Sequence, residues 1–163
     1  MPERIQLLDE GLFRSLVERA GRSPRLRVNH NFHGSMEENP HRMLNVMCRG
    51  TYIAPHRHAD PPKTESFLAL AGELAFFTFD DDGAIASIHV LGRETVGIDI
   101  APGVWHTLAV LSPHAVCYEV KPGPYSALTD KDFAPWAPRE GDAGVAAYLD
   151  FLISVTPPRE APG

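Results

Sequence analysis

The fold of this 163-residue chain is decided by residues 50–72, GTYIAPHRHADPPKTESFLALAG. His56 and His58 are two residues apart on an extended segment, so both side chains project from the same face of a strand. Glu65 follows after a proline-rich bend, and His106 comes later, within APGVWH. Three neutral imidazoles and one carboxylate are a ligand set that suits a divalent metal ion. The sequence therefore predicts a metal site formed by four side chains, those of His56, His58, Glu65 and His106.

Short apolar runs separated by turn signals make up most of the rest of the chain. The sequence DDDG at 80–83 marks a hairpin turn between two apolar strands, and Gly72 and the Pro-Gly pair at 102–103 mark further turns. Strands that recur roughly every 8–12 residues without intervening helices are typical of a sandwich or a closed barrel. The pattern predicts an all-β core with strands over 26–33, 43–48, 51–58, 66–70, 74–79, 85–91, 96–100, 106–111 and 115–121.

Helical periodicity is confined to the two ends of the chain. Residues 9–20, DEGLFRSLVERA, carry apolar side chains at helical spacing, with Asp9 as the N-cap and Gly21 as the stop. Residues 142–153 return to a helical pattern. A chain of 163 residues fits one domain. We predict a single domain over 1–163, with a barrel core at about 42–122, an N-terminal helix and strand at 9–33 and a C-terminal extension at 123–163.

Composition and charge argue against several classes of function. The net charge of -6, without a basic run or stripe, argues against nucleic-acid binding. No apolar run approaches the ~20 residues needed to cross a bilayer, and the N-terminus lacks the apolar region of a signal peptide. We therefore expect a cytoplasmic protein that binds neither nucleic acid nor membrane. Cys48 and Cys117 lie on apolar runs without CxxC spacing, and we expect them to be buried free thiols.

A second set of candidate residues lies on the first predicted strand. Alternation places four polar side chains on one strand face, those of Arg27, Asn29, Asn31 and His33. Burying such groups unpaired would cost roughly 1–3 kcal/mol each, so the face adjoins solvent, another subunit or a wet cavity. We hypothesise that this face lines the approach to the metal and binds a polar ligand, with Arg27 meeting an anionic group. An exposed edge strand is the alternative.

Tyr52 and Lys63 complete the predicted ligand-binding set. Tyr52 shares its strand face with His56 and His58 by parity, so it either donates a hydrogen bond near the site or packs in the core. Lys63 lies on the same side of its segment as Glu65 and could bind a carboxylate or phosphate of the substrate. The alternative is that it forms a salt bridge or is simply solvated. The remaining histidines are not expected to bind the metal. We expect the side chains of His41, His89 and His114 to be exposed to solvent and that of His30 to lie in the core.

The histidine-rich stretch resembles the first motif of the cupin superfamily, G-x5-HxH-x3/4-E-x6-G. Five residues separate Gly50 from the first histidine, and six separate Glu65 from Gly72, so both ends of the motif agree. The middle departs from the motif, because six residues lie between His58 and Glu65. Asp60, within this longer bend, is therefore a competing carboxylate for the metal.

The second cupin motif, G-x5-P-x-G-x2-H-x3-N, is matched in part. Gly103 precedes His106 at the required distance, but Pro102 is displaced, Gly97 is off register and Val110 stands where the motif has asparagine. The partial match lies about forty residues after the first motif, and finding both motifs in this order supports the assignment of the second one. Together the motifs imply a cupin double-stranded β-helix, a jelly-roll barrel, with short helices at both ends and one divalent metal ion per chain.

The wider pattern is similar to a narrower family, the WbuC-type cupin fold metalloproteins. This resemblance implies a single-domain metal-binding cupin of unsettled activity, associated by name with surface-polysaccharide gene clusters, and it supplies no catalytic residues. It rests on six segments: RVNHNFH at 27–33, HRMLNVM at 41–47, PHRHADPPKTE at 55–65, PGVWHTL at 102–108, KPGPY at 121–125 and KDFAPWAP at 131–138.

Two functions agree with these expectations. The first is a metalloenzyme, either an isomerase, a hydrolase or a dioxygenase, that acts on a small sugar-like or sugar-acid substrate. Its ligand set suits Zn, Fe, Ni or Mn and does not choose among them. The second is a non-catalytic, metal-dependent module that binds or senses a saccharide. Because cupins commonly cover their sheet edges with another subunit, we also expect a homodimer formed through the N-terminal helix and first strand.

Overall fold

Ten strands and two helices make up the part of the chain that the computed structural model describes, residues 5–127 and 130–159. In chain order they are α1 (Glu10–Arg22), β1 (Arg27–Asn31), β2 (His41–Cys48), β3 (His56–Arg57), β4 (Glu65–Ala71), β5 (Leu74–Phe79), β6 (Ile85–Leu91), β7 (Gly97–Ile100), β8 (Trp105–Val110), β9 (His114–Lys121), β10 (Asp132–Phe133) and α2 (Val145–Ser154).

The strands form two five-stranded sheets. Sheet A has the order β1-β2-β9-β4-β7, and sheet B has the order β10-β3-β8-β5-β6. Every pairing between these strands is antiparallel. The chain crosses from one sheet to the other at most connections after β2, which is the connectivity of a jelly roll. The predicted all-β fold, a double-stranded β-helix with a short helix near each end, is thus confirmed.

The inner faces of the two sheets share one apolar core. Alternation along the strands sends every second side chain into the space between the sheets, where apolar groups fill one end. The buried members of this core are Met47, Phe67, Leu74, Phe76, Leu91, Ile100, Leu108, Val110, Ala115 and Cys117. Polar side chains occupy the other end of this space. The apolar end therefore holds the two sheets together, and the polar end is the place where a functional site can form.

Helix α1 covers the outer face of sheet A. Its amphipathic sequence begins at Asp9, whose carboxylate accepts a hydrogen bond from the Leu12 N–H at 2.8 Å, as an N-cap does. The buried Leu16 and Ala20 pack on Leu44 and Val46 of β2. Helix α2 covers the outer face of sheet B in the same way. Its Leu149 and Leu152 belong to one buried cluster with the outward side chains of β5 and β8, those of Ala75, Phe77 and Ala109.

Most predicted elements differ from the observed ones by one to three residues at an end, and three differences concern more than such a shift or bear on the predicted caps. The predicted strand at 51–58 is reduced to His56–Arg57, because the preceding residues form other contacts: the Thr51 hydroxyl donates to the Arg25 carbonyl at 2.7 Å. Gly21 does not end α1, which continues to Arg22. The two-residue strand β10 was not predicted, since it is too short for any periodicity. No described helix has the length and apolar character that crossing a membrane requires.

Candidate metal centre

Four buried side chains converge at the polar end of the space between the sheets. His56 lies on β3, His58 just beyond it, Glu65 at the start of β4 and His106 on β8. One ligand atom from each of the four lies within 4.8 Å of the others. Metal–ligand bonds of about 2.0–2.2 Å give a coordination sphere roughly 4 Å across, so the cluster fits a metal site after small adjustments.

The strand pairing explains why residues so far apart in sequence meet. His56 lies directly opposite His106 in the β3–β8 ladder, and their ring centroids are 4.5 Å apart. His58 follows two residues later, with its ring centroid 5.2 Å from that of His56. Glu65 approaches from sheet A, where its backbone pairs with Ile100 of β7. Both sheets therefore contribute to the cluster.

Backbone carbonyls orient the three imidazoles. The Nδ1 atom of His56 donates to the Ala54 carbonyl at 3.0 Å, and that of His106 donates to the Val104 carbonyl at 2.9 Å. The Nδ1 of His58 donates to the carbonyl of Asp130. A carbonyl oxygen only accepts, so each ring carries its hydrogen on Nδ1 and presents the lone pair of Nε2 to the centre. Metal-binding histidines are oriented in this way.

One of these nitrogens has no hydrogen-bond partner. His58 Nε2 is buried and lies 3.0 Å from Glu65 Oε1, but the geometry between them is not that of a hydrogen bond. His106 Nε2 lies 3.1 Å from the other oxygen of Glu65. Buried polar atoms are normally paired, so an orphaned nitrogen beside a carboxylate is an arrangement that a cation would complete.

The protonation states of the cluster suit metal binding. Burial lowers the pKa of His56 well below its ordinary value, and the positive charge of Lys131 acts in the same direction. Burial alone would raise the pKa of Glu65, but the adjacent His106 and His58 rings and the charge of Lys121 hold it well below its ordinary value. Neutral imidazole and ionised carboxylate are the forms that bind a metal.

Lys121 holds the carboxylates around the cluster together. Its ammonium nitrogen lies 3.2 Å from Glu65 Oε1, 3.4 Å from Glu119 Oε1 and 3.5 Å from Asp130 Oδ2. Burial alone would lower the pKa of Lys121, but these three carboxylates raise it. Lys63, also buried, pairs with the other oxygen of Asp130 at 2.9 Å. The network fixes Glu65 at the centre.

Two adjoining cavities lie beside this cluster. The outer cavity has a volume of about 440 Å³, and the inner one, lined by His56, Glu65 and His106, about 30 Å³. Four residues line both cavities: Asn45, Ile53, Glu119 and Lys131. A small molecule in the outer cavity is therefore adjacent to the metal centre.

The predicted ligand-binding residues divide into two groups. The polar face of the first strand lines the outer cavity with all four of its members, Arg27, Asn29, Asn31 and His33. Tyr52 and Lys63 do not line it. The Tyr52 hydroxyl donates instead to the Pro138 carbonyl at 2.7 Å, and Lys63 is directed to Asp130 and to the Pro124 carbonyl.

His41 was predicted to be exposed, and this was wrong. Its ring is buried and stacks on that of His33, with centroids 4.1 Å apart and an interplanar angle of 2°. Burial lowers the pKa of His41, and the neighbouring His33 contributes. The predictions for His89 and His114 are confirmed, since both are exposed. Of the two carboxylates considered for the metal cluster, Asp60 is exposed and Glu65 is the buried one.

The sequence interpretation missed several polar residues of the cavity. Asn45 and Glu119 occupy inward positions of the apolar strands β2 and β9, where a single polar side chain in an apolar alternation is itself a signal. Lys121 follows Glu119 with the same parity. Lys131 lies just before the two-residue strand β10, and no pattern in the sequence marks it.

The chain matches the model of a protein family described as a domain of unknown function, DUF6016, over residues 8–91, just over half of its length. The chain belongs to this family. The matched DUF6016 region includes His56, His58 and Glu65, whereas His106 lies beyond it. No curated protein matches the chain.

Solved structures resemble this DUF6016 protein in fold. An uncharacterised protein with a double-stranded β-helix domain from Klebsiella pneumoniae has a TM-score of 0.54 at 14% identity, covering 81% of this chain and 97% of that one. The L-ribose isomerase of Cellulomonas parahominis, with L-psicose, has a TM-score of 0.52 at 18% identity, covering 68% and 70%.

The capsular polysaccharide assembling protein CapF from Staphylococcus aureus is a third structural neighbour. Its TM-score is 0.52 at 17% identity, covering 66% of this chain and 31% of CapF. The chain thus spans about a third of the length of the CapF chains that it matches. At such identities the likeness shows the double-stranded β-helix fold alone.

Proposed function

We propose that this DUF6016 protein is a metal-dependent cupin enzyme that acts on a small, polar, sugar-like molecule. One observation carries the proposal: three imidazoles oriented by backbone carbonyls and one ionised carboxylate meet where a cavity of about 440 Å³ ends. Such a volume lies within the roughly 300–1,000 Å³ typical of small-molecule sites. The predicted ligands His56, His58, Glu65 and His106 would hold one divalent ion, either Zn, Fe, Ni or Mn.

The residues of the chain divide the work of such a site. A bound divalent ion supplies Lewis acidity toward a carbonyl or hydroxyl oxygen. Lys121 fixes the Glu65 carboxylate, and the barrel wall fixes the imidazoles at little entropic cost. The polar face of β1 and the side chains of Asn45 and Glu119 supply hydrogen-bonding groups to a molecule in the outer cavity.

The finer parts of the proposal concern pathway and assembly. The resemblance to WbuC-type cupins, together with a structural neighbour named for capsular polysaccharide assembly, supports a role in surface-polysaccharide metabolism. The likeness to an L-ribose isomerase supports a sugar-related substrate. We also propose that the protein acts in the cytoplasm as a homodimer, and sedimentation at micromolar concentration tests the dimer.

A non-catalytic saccharide-binding module is the second candidate function, and one observation favours it. The carboxylates beside the cluster are already committed, because Glu65, Glu119 and Asp130 all pair with Lys121. No carboxylate of the described cavity lining is without a cationic partner, so none is an obvious general base. Such a site would hold a metal and a ligand without transforming it.

The experiment that separates the two functions is a turnover assay. Protein loaded with each of the four metals is incubated with aldoses, ketoses and sugar acids, and products are followed by NMR. The enzyme proposal predicts a product that disappears in His106→Ala and persists in the exposed-histidine control His89→Ala. Saturable binding without any product would contradict the enzyme and support the module.

A further inference from the structure

Lys131 stands apart from the other basic residues of the outer cavity. Arg25 and Arg27 both pair with Glu140, and Lys121 pairs with Glu119 and other carboxylates. Among the described residues, Lys131 has no salt-bridge or hydrogen-bond partner, although it lines both cavities beside the cluster. Glu65, Glu119 and Asp130 are near enough to attract this ammonium, but none of them forms a described hydrogen bond or salt bridge with it, so an anionic oxygen within hydrogen-bond distance would supply the missing partner.

The charges of the residues that line the outer cavity also indicate an anion site at Lys131. Its cationic side chains are Arg25, Arg27, Lys121 and Lys131, and its anionic ones are Glu119, Asp130 and Glu140. Arg25 and Arg27 share Glu140, and Lys121 pairs with Glu119 and Asp130, so Lys131 is the one cation of this described lining whose charge is not in a salt bridge. That charge lies at the junction of the two cavities, on the side of the metal centre. The anionic group of a ligand therefore belongs deep in the cavity.

Asn45 offers a second, independent requirement. Its Nδ2 donates to Glu119 Oε2 at 3.1 Å, which leaves Oδ1 as the free acceptor. This oxygen is buried without a partner, in a residue that is 8% exposed and that lines both cavities. An unpaired buried acceptor costs roughly 1–3 kcal/mol, so a hydroxyl hydrogen from a ligand would restore what is missing.

His33 offers a third requirement, farther along the outer cavity. The backbone of Arg42 satisfies His33 Nδ1, with its carbonyl oxygen at 3.1 Å and its N–H at 3.2 Å. Nε2 is buried without a partner, in a residue that is 7% exposed and that lines the outer cavity. A ligand hydroxyl, which both donates and accepts, would pair with Nε2 in either tautomer of the ring.

The sizes of the cavities set the orientation of the ligand. The inner cavity of about 30 Å³ admits only about two water-sized groups, such as the oxygens of a carboxylate. The outer cavity of about 440 Å³ accommodates the body of a small molecule. A sugar ring thus stays outside, and only a small head group reaches the cluster.

We propose that the ligand is a polyhydroxy acid that binds with its carboxylate innermost, on Lys131. One of its hydroxyls donates to Asn45 Oδ1, and another hydroxyl, farther out, forms a hydrogen bond with His33 Nε2. This inference rests on the proposed function and specifies its substrate class. It moves the anion site from Arg27, where the sequence hypothesis put it, because Glu140 already meets the charge of that guanidinium.

The test is a calorimetric titration of the full chain with matched acids and neutral sugars. The acids are D-gluconate, D-galactonate, D-glucuronate and D-galacturonate, and the neutral counterparts are D-glucitol, D-galactitol, D-glucose and D-galactose. At least one acid is expected to bind with a dissociation constant in the millimolar range or below. The dissociation constant of its neutral counterpart is expected to be higher by about tenfold or more. Failure of every acid, or equal binding of acid and counterpart, overturns the inference.

Variants assign the contacts. Lys131→Gln is expected to weaken binding of the acid by about tenfold and to leave the counterpart unchanged, while Lys131→Arg retains the preference. Asn45→Leu is expected to weaken acid and counterpart alike. Because Lys131 has no described salt-bridge partner, Lys131→Gln should keep the melting temperature of the parent, which separates lost recognition from lost folding. An unchanged acid preference in folded Lys131→Gln would overturn the assignment.

Metal content is measured in the same samples, and the titrations are repeated after chelation. A protein that binds no metal but still prefers the acid through Lys131 would contradict the proposed function and leave this inference standing. A protein that binds metal and shows no acid preference would contradict this inference and leave the proposed function standing.

Discussion

His56 and His106 face one another across the β3–β8 ladder, with ring centroids 4.5 Å apart, and this pairing joins the metal centre to the sheet. Strand β3 has only two residues, and His56 is the one that pairs with β8. A cation held by both imidazoles would therefore cross-link a short strand to the centre of sheet B. Metal binding and local stability should be coupled at this point.

The first prediction is that the metal stabilises the folded protein. A ligand present at about 1,000 times its dissociation constant adds about 4 kcal/mol, which corresponds to a rise in melting temperature of roughly 8–16 °C for a chain of this size. Calorimetry of chelated and reloaded protein measures this rise. Hydrogen exchange should show its largest protection at His56 and Arg57. Equal melting temperatures with and without metal would contradict the coupling.

The second prediction concerns Lys121, the partner of three buried carboxylates. Lys121→Met leaves these carboxylates without their common counter-charge, and breaking a buried pair in this way costs about 3–5 kcal/mol. The loss should be smaller in metal-loaded protein, because the ion also compensates Glu65. Denaturant unfolding of both forms measures the difference.

The control for Lys121 is Arg42→Met, which removes an equal charge from an exposed pair. Arg42 lies 3.7 Å from Glu38, and both side chains are more than 40% exposed. Such pairs contribute about 0–1 kcal/mol. If the two variants lose equal stability, the buried network is not the source of the effect.

The third prediction is a pH dependence at Glu140. Burial alone would raise the pKa of this carboxyl, but hydrogen bonds from Arg25 and the charge of Arg27 lower it from its ordinary value of 4.5. A lowered folded-state pKa means that the ion pairs stabilise the fold fully above pH 4.5 and are lost as the pH falls through the folded-state pKa. Glu140→Gln should cost about 1 kcal/mol at neutral pH, since the cluster is partly exposed.

Melting temperatures recorded from neutral to acid pH check this dependence. The difference between Glu140→Gln and the parent should shrink toward zero once the carboxyl is protonated. A difference that grows as the pH falls would have the wrong sign for the ion cluster.

The fourth prediction separates the helices from the site. Leu16 of α1 and Leu152 of α2 are fully buried on opposite outer faces of the barrel. Leu16→Ala and Leu152→Ala should each cost about 2–5 kcal/mol. Neither residue contacts the inner face, so the metal content of the folded variants should equal that of the parent. Loss of metal at full folding would contradict this division.

The strands and the metal ligands could be predicted because they depend on local patterns. Alternation gave β5 and β6 with the bounds that the structure has, and the His-x-His spacing placed two imidazoles on one side of the cluster. His106 could be included because a glycine turn precedes it at a recognisable distance. Each of these signals lies within a few residues of the side chain that it concerns.

The other residues of the cavity depend on long-range contacts. His41 is polar and adjoins a proline, so an exposed position was the natural expectation, yet it is buried by stacking on His33. Tyr52 was placed by strand parity on a segment that is not a strand, and its hydroxyl reaches Pro138 instead. Lys131 comes to the cluster only because the C-terminal segment adds β10 to sheet B. No local pattern contains that information.

The metal content of the purified protein tests the central claim most directly. Parent, His56→Ala, His106→Ala and Glu65→Ala are expressed with Zn, Fe, Ni and Mn, and bound metal is measured by mass spectrometry beside His89→Ala, which removes an exposed histidine. We predict close to one ion per chain in the parent and the control, and far less in the three ligand variants. Full metal content in folded ligand variants, or none in the parent, would contradict the account.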